Sequence, residues 1–185
     1  MTNHCRSLYV PSMGLLLLML RVPAATAERA SALKDLLARD YGLRNFAYNA
    51  ERLHITLFNL GEEVSPERVA VVERTAAKFT ASPFEVEFNR VMSWPDALVL
   101  LGDDKPAALT NFRRALGTSL RRVWPDRLQP TGFTPHITLM RGATCVEDQQ
   151  VQAFGWTVND FALVHSVNGR YVELGRWKLT PPAAS

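Results

Sequence analysis

His54-Ile55-Thr56-Leu57 returns, letter for letter, as His136-Ile137-Thr138-Leu139. In a β-strand, residues i and i+2 share a face. His54 and Thr56 therefore point one way, and Ile55 and Leu57 the other. The apolar pair can pack on a core while the imidazole and hydroxyl look into a cleft. His136 and Thr138 repeat the arrangement. The two copies lie in opposite halves of the chain, which suggests two similar lobes, each giving one His and one Thr to a shared site.

Outward from the first copy, residues 52–60 read as a strand ended by Gly61. Upstream lies a helix over residues 25–41. Leu33, Leu36, Leu37 and Tyr41 form its apolar stripe, Lys34 sits elsewhere on the wheel, and Gly42 is its stop. Before it, the run Leu15 to Leu20 reads as a buried strand, residues 14–22, closed by Pro23. Arg6, that run and Ala25-Thr26-Ala27 also imitate a secretory signal. Six apolar residues are short for one, and far too short to span a membrane, so the strand is expected. Residues 1–13 are expected as a loose tail, with Met13 an alternative start. Residues 14–179 are expected as a single bilobal domain and 180–185 as a second tail.

Downstream, Ser65 is an N-cap and Pro66 a first helical residue, with Val69, Val72, Ala76 and Phe79 as the buried stripe. Phe84 to Asn89 alternates like a strand with one wet face. A turn around Trp94-Pro95-Asp96 joins it to an apolar strand, 97–101, making an antiparallel pair. Gly102-Asp103-Asp104 opens a third helix, 105–123, with the stripe Leu109, Phe112, Leu116, Leu120 and Val123. Arg113, Arg114, Arg121 and Arg122 read as its solvated face, with RNA contact the alternative. Pro125 and Pro130 bracket a loop before the second motif strand, 134–141. A polar connection, 147–150, leads to strands 156–166 and 170–179, joined at Asn168-Gly169, a hairpin signal. The order β-α-β-α-β-β-α-β-β-β implies a mixed, largely antiparallel α+β fold.

The 185 residues suit one domain with a proper core. A net charge of +3 permits an anionic substrate without demanding one, and no basic run resembles a nucleic-acid arm. Cys5 and Cys145 have no metal-binding spacing, which favours a reducing compartment, the cytoplasm, over a disulfide framework or structural zinc. Neither a GxGxxG nor a Walker phosphate loop is present.

A lone strand histidine is usually structural, and His165 reads that way; His4 lies in the tail. The matched threonines set His54 and His136 apart. A catalytic zinc needs three protein ligands, which these motifs do not supply. A threonine nucleophile needs one base and one orienting group, which a symmetric pair fits poorly. Phosphoester cleavage fits well. One neutral imidazole takes a proton from the attacking oxygen, and the other, protonated, gives one to the leaving oxygen. The threonine hydroxyls can bond the non-bridging phosphate oxygens, with Arg141 as a further clamp on the charge. Tyr48, Trp94 and Trp156 are candidates for stacking on a base, though such residues more often pack.

Arg52-Leu53-His54-Ile55-Thr56-Leu57-Phe58-Asn59-Leu60-Gly61 and Phe133-Thr134-Pro135-His136-Ile137-Thr138-Leu139-Met140-Arg141 together resemble the paired motifs of the 2H phosphoesterase superfamily. The branch is the one called 2′-5′ RNA ligase, whose members act as RNA 2′,3′-cyclic phosphodiesterases. Phe161 to Ser166 and Tyr171 to Trp177 look like its last hairpin. The resemblance spans residues 14–179. It implies a bilobal α+β fold with two mostly antiparallel sheets flanking a central cleft and helices outside. It also implies His54, His136, Thr56 and Thr138 as catalytic residues, and no metal or cofactor. His54 would protonate the leaving O3′ and His136 would activate water, leaving a 2′-phosphate. Phe58-Asn59-Leu60-Gly61 departs from the family's frequent Phe-Leu-Gly by one extra residue, which bears on the cleft edge. The expected partners are RNA ends or nucleotides carrying a 2′,3′-cyclic phosphate. The protein is expected as a cytoplasmic monomer with no membrane partner. The alternatives are another small cyclic phosphate, a 2′-5′ linkage with ligation as the reverse reaction, or a nucleotide- or RNA-binding module without turnover.

Overall fold

The computed structural model describes residues 14–181 apart from 45, 103–105, 126–127, 129–131, 143–144 and 168–169. The expected N-terminal tail with His4 and Cys5, the helix opening at Asp103 and Asp104, Pro130, the Asn168-Gly169 turn and residues 182–185 lie outside these.

The apolar run becomes the inner strand of a sheet. β1 (Leu15–Arg21) pairs antiparallel with β3 (His54–Glu62) on one side and β8 (Asp160–Val167) on the other. With β9 (Arg170–Lys178), the order is β3-β1-β8-β9. Leu16 to Leu20 are all buried because the strand is paired along both edges and covered on both faces.

The second sheet has five strands in the order β2-β6-β5-β4-β7, every pair antiparallel. These are β2 (Phe46–Ala47), β6 (His136–Arg141), β5 (Ala97–Leu101), β4 (Phe84–Trp94) and β7 (Gln149–Val158). α1 (Ala24–Asp40) packs over β6 and β7. α2 (Pro66–Ala77) meets β9 and α3 (Ala107–Arg121), and α3 meets β4. Ser65 caps α2 as expected, accepting from the Arg68 N–H at 3.4 Å, with Pro66 in the first turn. The architecture is the expected one: two antiparallel sheets with helices against them.

The sheets are not the two halves of the chain. β1 and β3 share a sheet with β8 and β9, while the second sheet takes β2 and β4 to β7. One apolar cluster serves both: Leu18, Leu20 and Ile55 from the first sheet join Leu98, Leu100 and Ile137 from the second.

Five expectations need correction. The buried face of α1 is Thr26, Ala27, Ala30, Lys34 and Leu37, whereas Leu36 and Tyr41 are 44% and 41% exposed. Small alanines allow close packing, and the Lys34 ammonium is satisfied by Ser31 Oγ (3.1 Å), the Tyr48 carbonyl (3.2 Å) and Asp35 (3.2 Å). The expected strand 156–166 is two strands in different sheets, broken at Asn159, whose carbonyl accepts from the Leu179 N–H at 2.7 Å. The expected connection 147–150 runs into β7, an edge strand whose alternation of exposed and less exposed residues is broken at Gln152 and Ala153. Gly61 does not end β3, which runs on to Glu62; its φ of +99° instead serves a bulge. The last correction is Arg113, which is not on a solvated face.

Candidate active site

β3 and β6 come from different sheets and lie side by side, bringing the two motifs together. Each keeps Ile and Leu in the core: Ile55, Leu57, Ile137 and Leu139 are all buried. The opposite face is set by register. His54 and Thr56 stand beside Arg21 and Met19 of β1. His136 and Thr138 stand beside Leu101 and Val99 of β5. Met19, Val99 and Leu101 belong to two small apolar clusters apart from the main core, Leu17-Met19-Ala162-Val164 and Ala97-Val99-Leu101, which floor the two walls of the cleft.

Bulges decide what else reaches that cleft. Strict alternation would send Arg141, three residues past Thr138, to the core side. The register between β5 and β6 shifts between Leu98 and Val99 and leaves Leu139 without a partner. Leu139 and Met140 then both face the core, and Arg141, opposite Ala97, returns to the cleft face. Two shifts in β3, leaving Leu57 and Leu60 unpaired, likewise keep Asn59 and Glu62 on the face of His54 and Thr56. Asn59 Oδ1 accepts from the Gly61 N–H at 2.9 Å. Phe58-Asn59-Leu60-Gly61 thus lies in a bulged part of the strand.

The two imidazoles are held identically. His54 Nδ1 lies 2.7 Å from the Arg52 carbonyl and His136 Nδ1 lies 2.8 Å from the Thr134 carbonyl, each two residues back. A carbonyl only accepts, so Nδ1 carries the hydrogen on both rings and Nε2 is the atom left for proton exchange. Tyr171 stands edge-on to His54, with ring centroids 5.5 Å apart and its hydroxyl 3.5 Å from Nδ1. Trp94 leans on His136 at 4.5 Å. Among the described residues the Thr56 and Thr138 hydroxyls have no protein partner, which leaves them for a ligand.

The electrostatics favour neutral rings in the free protein. Burial, then the nearby charges of His136, Arg52 and Arg21, lowers His54 to about 4, against the raising effect of the Arg52 carbonyl. Burial and the charge of Arg141 lower His136, against the Thr134 carbonyl. The charge of His136 adds to the lowering of His54, a smaller effect than burial.

Beside the motifs the cleft widens to a cavity of about 910 Å³ touching Thr56, His136, Trp94, Glu62, Phe133 and Arg113. His54 and Thr138 lie on the same two walls, outside this lining. Arg141 is also outside it, bonded to Asp96 at 3.3 Å with its Nε 3.5 Å from the Tyr48 hydroxyl. Among the described residues no three His, Cys, Asp or Glu side chains gather closely enough to hold a metal ion. No described helix is long and apolar enough to cross a membrane.

The family model described as the 2′-5′ RNA ligase superfamily matches residues 22–170. The chain belongs to that superfamily. Its similarity to curated proteins runs the same way. It is 30% identical to the RNA 2′,3′-cyclic phosphodiesterase of Escherichia coli K12 over 142 residues, covering 71% of this chain and 78% of that one. It is 29% identical to the Archaeoglobus fulgidus protein of the same name over 133 residues, covering 65% and 74%. The crystal structure of E. coli LigT in apo form superposes with a TM-score of 0.77 at 26% identity, covering 91% of this chain and 99% of LigT. LigT complexed with 3′-AMP superposes equally well.

Within this 2H phosphoesterase frame, four further groups stand at the site that the reading of the motifs did not single out. Arg52 is clasped between the Tyr48 and Tyr171 rings, 4.7 and 4.9 Å away, next to His54. Arg113 reaches in from α3 to Phe133. Their only local signal is position for Arg52 and Phe133, two and three residues before a motif histidine; nothing local marks Tyr171 or Arg113. Of the three stacking candidates, Trp94 lines the cavity. Tyr48 supports Arg52, and Trp156 stacks on the buried Phe88 at 5.5 Å, a packing role.

Proposed function

We propose that the protein is a metal-independent RNA 2′,3′-cyclic phosphodiesterase that works by paired-histidine acid–base catalysis. The observation that carries this is the duplicated geometry: two imidazoles with Nδ1 tied back, Nε2 available, and an unpartnered threonine hydroxyl beside each. The curated names of its relatives point to the same substrate class.

His136 Nε2 takes a proton from water as the water oxygen attacks phosphorus. The P–O3′ bond breaks, and His54 Nε2 gives its proton to O3′, leaving a 2′-phosphate and a free 3′-hydroxyl. Thr56 and Thr138 hydroxyls donate to the non-bridging oxygens, and Arg141 adds positive charge from the same face. A low pKa makes His54 a strong donor once it holds a proton, and the bound anion raises its pKa enough to load it. With a 5′-hydroxyl in place of water as the nucleophile, the same groups would join it to a 2′,3′-cyclic end: the new P–O5′ bond forms as P–O3′ breaks, His136 takes the 5′-hydroxyl proton and His54 protonates O3′, the ligase reaction of the superfamily's name. The reaction suits the cytoplasm, where the exposed Cys145 thiol stays reduced, and needs only one copy of the chain.

The test is hydrolysis of an oligonucleotide ending in a 2′,3′-cyclic phosphate in excess EDTA. Sustained turnover with a 2′-phosphate product is expected. A 3′-phosphate would exchange the acid and base roles, and loss of activity to EDTA would overturn metal independence.

The pH dependence follows from the sign of the shifts. Both histidines are lowered, so the singly protonated pair of the free enzyme is populated below pH 6.5 and disappears above it. kcat/KM should therefore peak below pH 6.5 and fall about tenfold per unit on the alkaline side, while kcat, read with the anion bound, peaks higher. Parallel steady-state profiles from pH 4.5 to 9 check this; a kcat/KM still rising at pH 8 would contradict it.

A further inference from the structure

The cavity extends past the motifs, along β3 toward Asn59 and Glu62, and one of its walls is Arg113 with Phe133. Arg113 is fixed there by packing. Its Nε–H donates to the Leu57 carbonyl at 2.8 Å, and Leu57 is a residue that the bulging of β3 leaves without a partner in β1. Its guanidinium is sandwiched between the rings of Phe58 and Phe133, 4.6 and 4.4 Å away. Gly117, one helical turn further, permits this approach: a Cβ there would stand 2.9 Å from the Phe58 ring.

The two terminal nitrogens of Arg113 are left over. Among the described residues they have neither a hydrogen bond nor an ion pair. The charge nearby is another cation, Arg121, which together with the stronger effect of burial lowers the Arg113 pKa. A guanidinium held rigid between aromatic rings, beside a second cation and facing a cavity, is built to receive an anion.

That anion is not the reacting phosphate, which is served by the two motifs and Arg141. The cavity volume of about 910 Å³ is near the upper end for ligand sites and exceeds what one phosphate fills. Glu62, elsewhere on the lining, would repel a phosphate and suits a ribose hydroxyl, so a backbone would run on the Arg113 side.

We infer that Arg113 holds the phosphodiester preceding the terminal nucleotide, with Phe133 as a stacking surface beside it, so that the enzyme selects RNA strand ends over free cyclic mononucleotides. This rests on the proposed phosphodiesterase activity.

The test compares kcat/KM for a 2′,3′-cyclic mononucleotide and a trinucleotide with the same terminus, in wild type, Arg113→Gln and Arg113→Lys. Wild type should prefer the trinucleotide. Arg113→Gln should lose about tenfold on the trinucleotide, through KM, and stay within about twofold on the mononucleotide. Its log–log salt slope on the trinucleotide should shrink by about 0.7, the value for one contact to a single strand, and Arg113→Lys should restore most of that slope. Equal losses on both substrates, or none, would overturn the inference, as would a wild type indifferent to length. Wild type inactive on both substrates would instead overturn the phosphodiesterase reading, and this inference with it.

Discussion

Replacing His136 with alanine should lower kcat on a 2′,3′-cyclic RNA end by about 10² to 10⁴-fold, the usual contribution of a positioned proton-transfer group. The chain has no substitute for it. Its ring is oriented by the Thr134 carbonyl and braced by Trp94, and in the proposed mechanism the other imidazole is occupied with the opposite proton transfer. His54→Ala should cost a similar factor, and the double variant little more than either single, because the two act as a unit. Neither ring is needed for the fold, since the ladders on β3 and β6 are made by backbone groups. Single-turnover assays on variants with wild-type circular dichroism are the check. A folded His136→Ala enzyme within a few-fold of wild type would end the paired-histidine proposal.

Thr138→Val separates function from packing more cleanly. The exchange keeps the β-branched shape and removes only a hydroxyl, which is 9% exposed at the residue level and has no partner among the described residues. Stability should therefore hold or rise, because an unpaired buried hydroxyl contributes nothing to the fold. Activity should fall by about 10² to 10³-fold, the cost of losing one hydrogen-bond donor to the charge that develops on phosphate oxygens. Thr56→Val should behave alike, with a loss in kcat rather than KM if the bond strengthens in the transition state. Thermal melts beside steady-state kinetics read both quantities. Unchanged kcat with a lower melting temperature would make these threonines structural.

The facing of His54, Thr56, His136 and Thr138 was legible because it depends only on the two-residue period of a strand. The cap at Ser65 and the stripe of α3 from Leu109 to Leu120 were legible for the same local reason, whereas Val123, expected to continue the stripe, lies past the helix end and is exposed. Arg141 was reached as a phosphate clamp on proximity alone, yet by alternation it should face the core; a single bulge at Leu139 brings it back. The buried Lys34 and the corner at Asn159 were missed because each is decided by partners distant in the chain. Arg113 was read with Arg114, Arg121 and Arg122 as one wet face, RNA contact being the lesser reading of all four, and nothing in the helix itself distinguishes it. Only the placement of Phe58, Leu57 and Phe133 around it does.

The sequence by itself therefore determined the paired motifs, the face each presents and the class of chemistry they suit, since periodicity and residue chemistry are local properties. Tertiary structure alone decided that the two sheets interleave both halves of the chain, which bulges re-aim side chains into the cleft, and which arginines line it. Those depend on pairing and packing between residues far apart in sequence, where the free energy of burial rather than local propensity selects the arrangement.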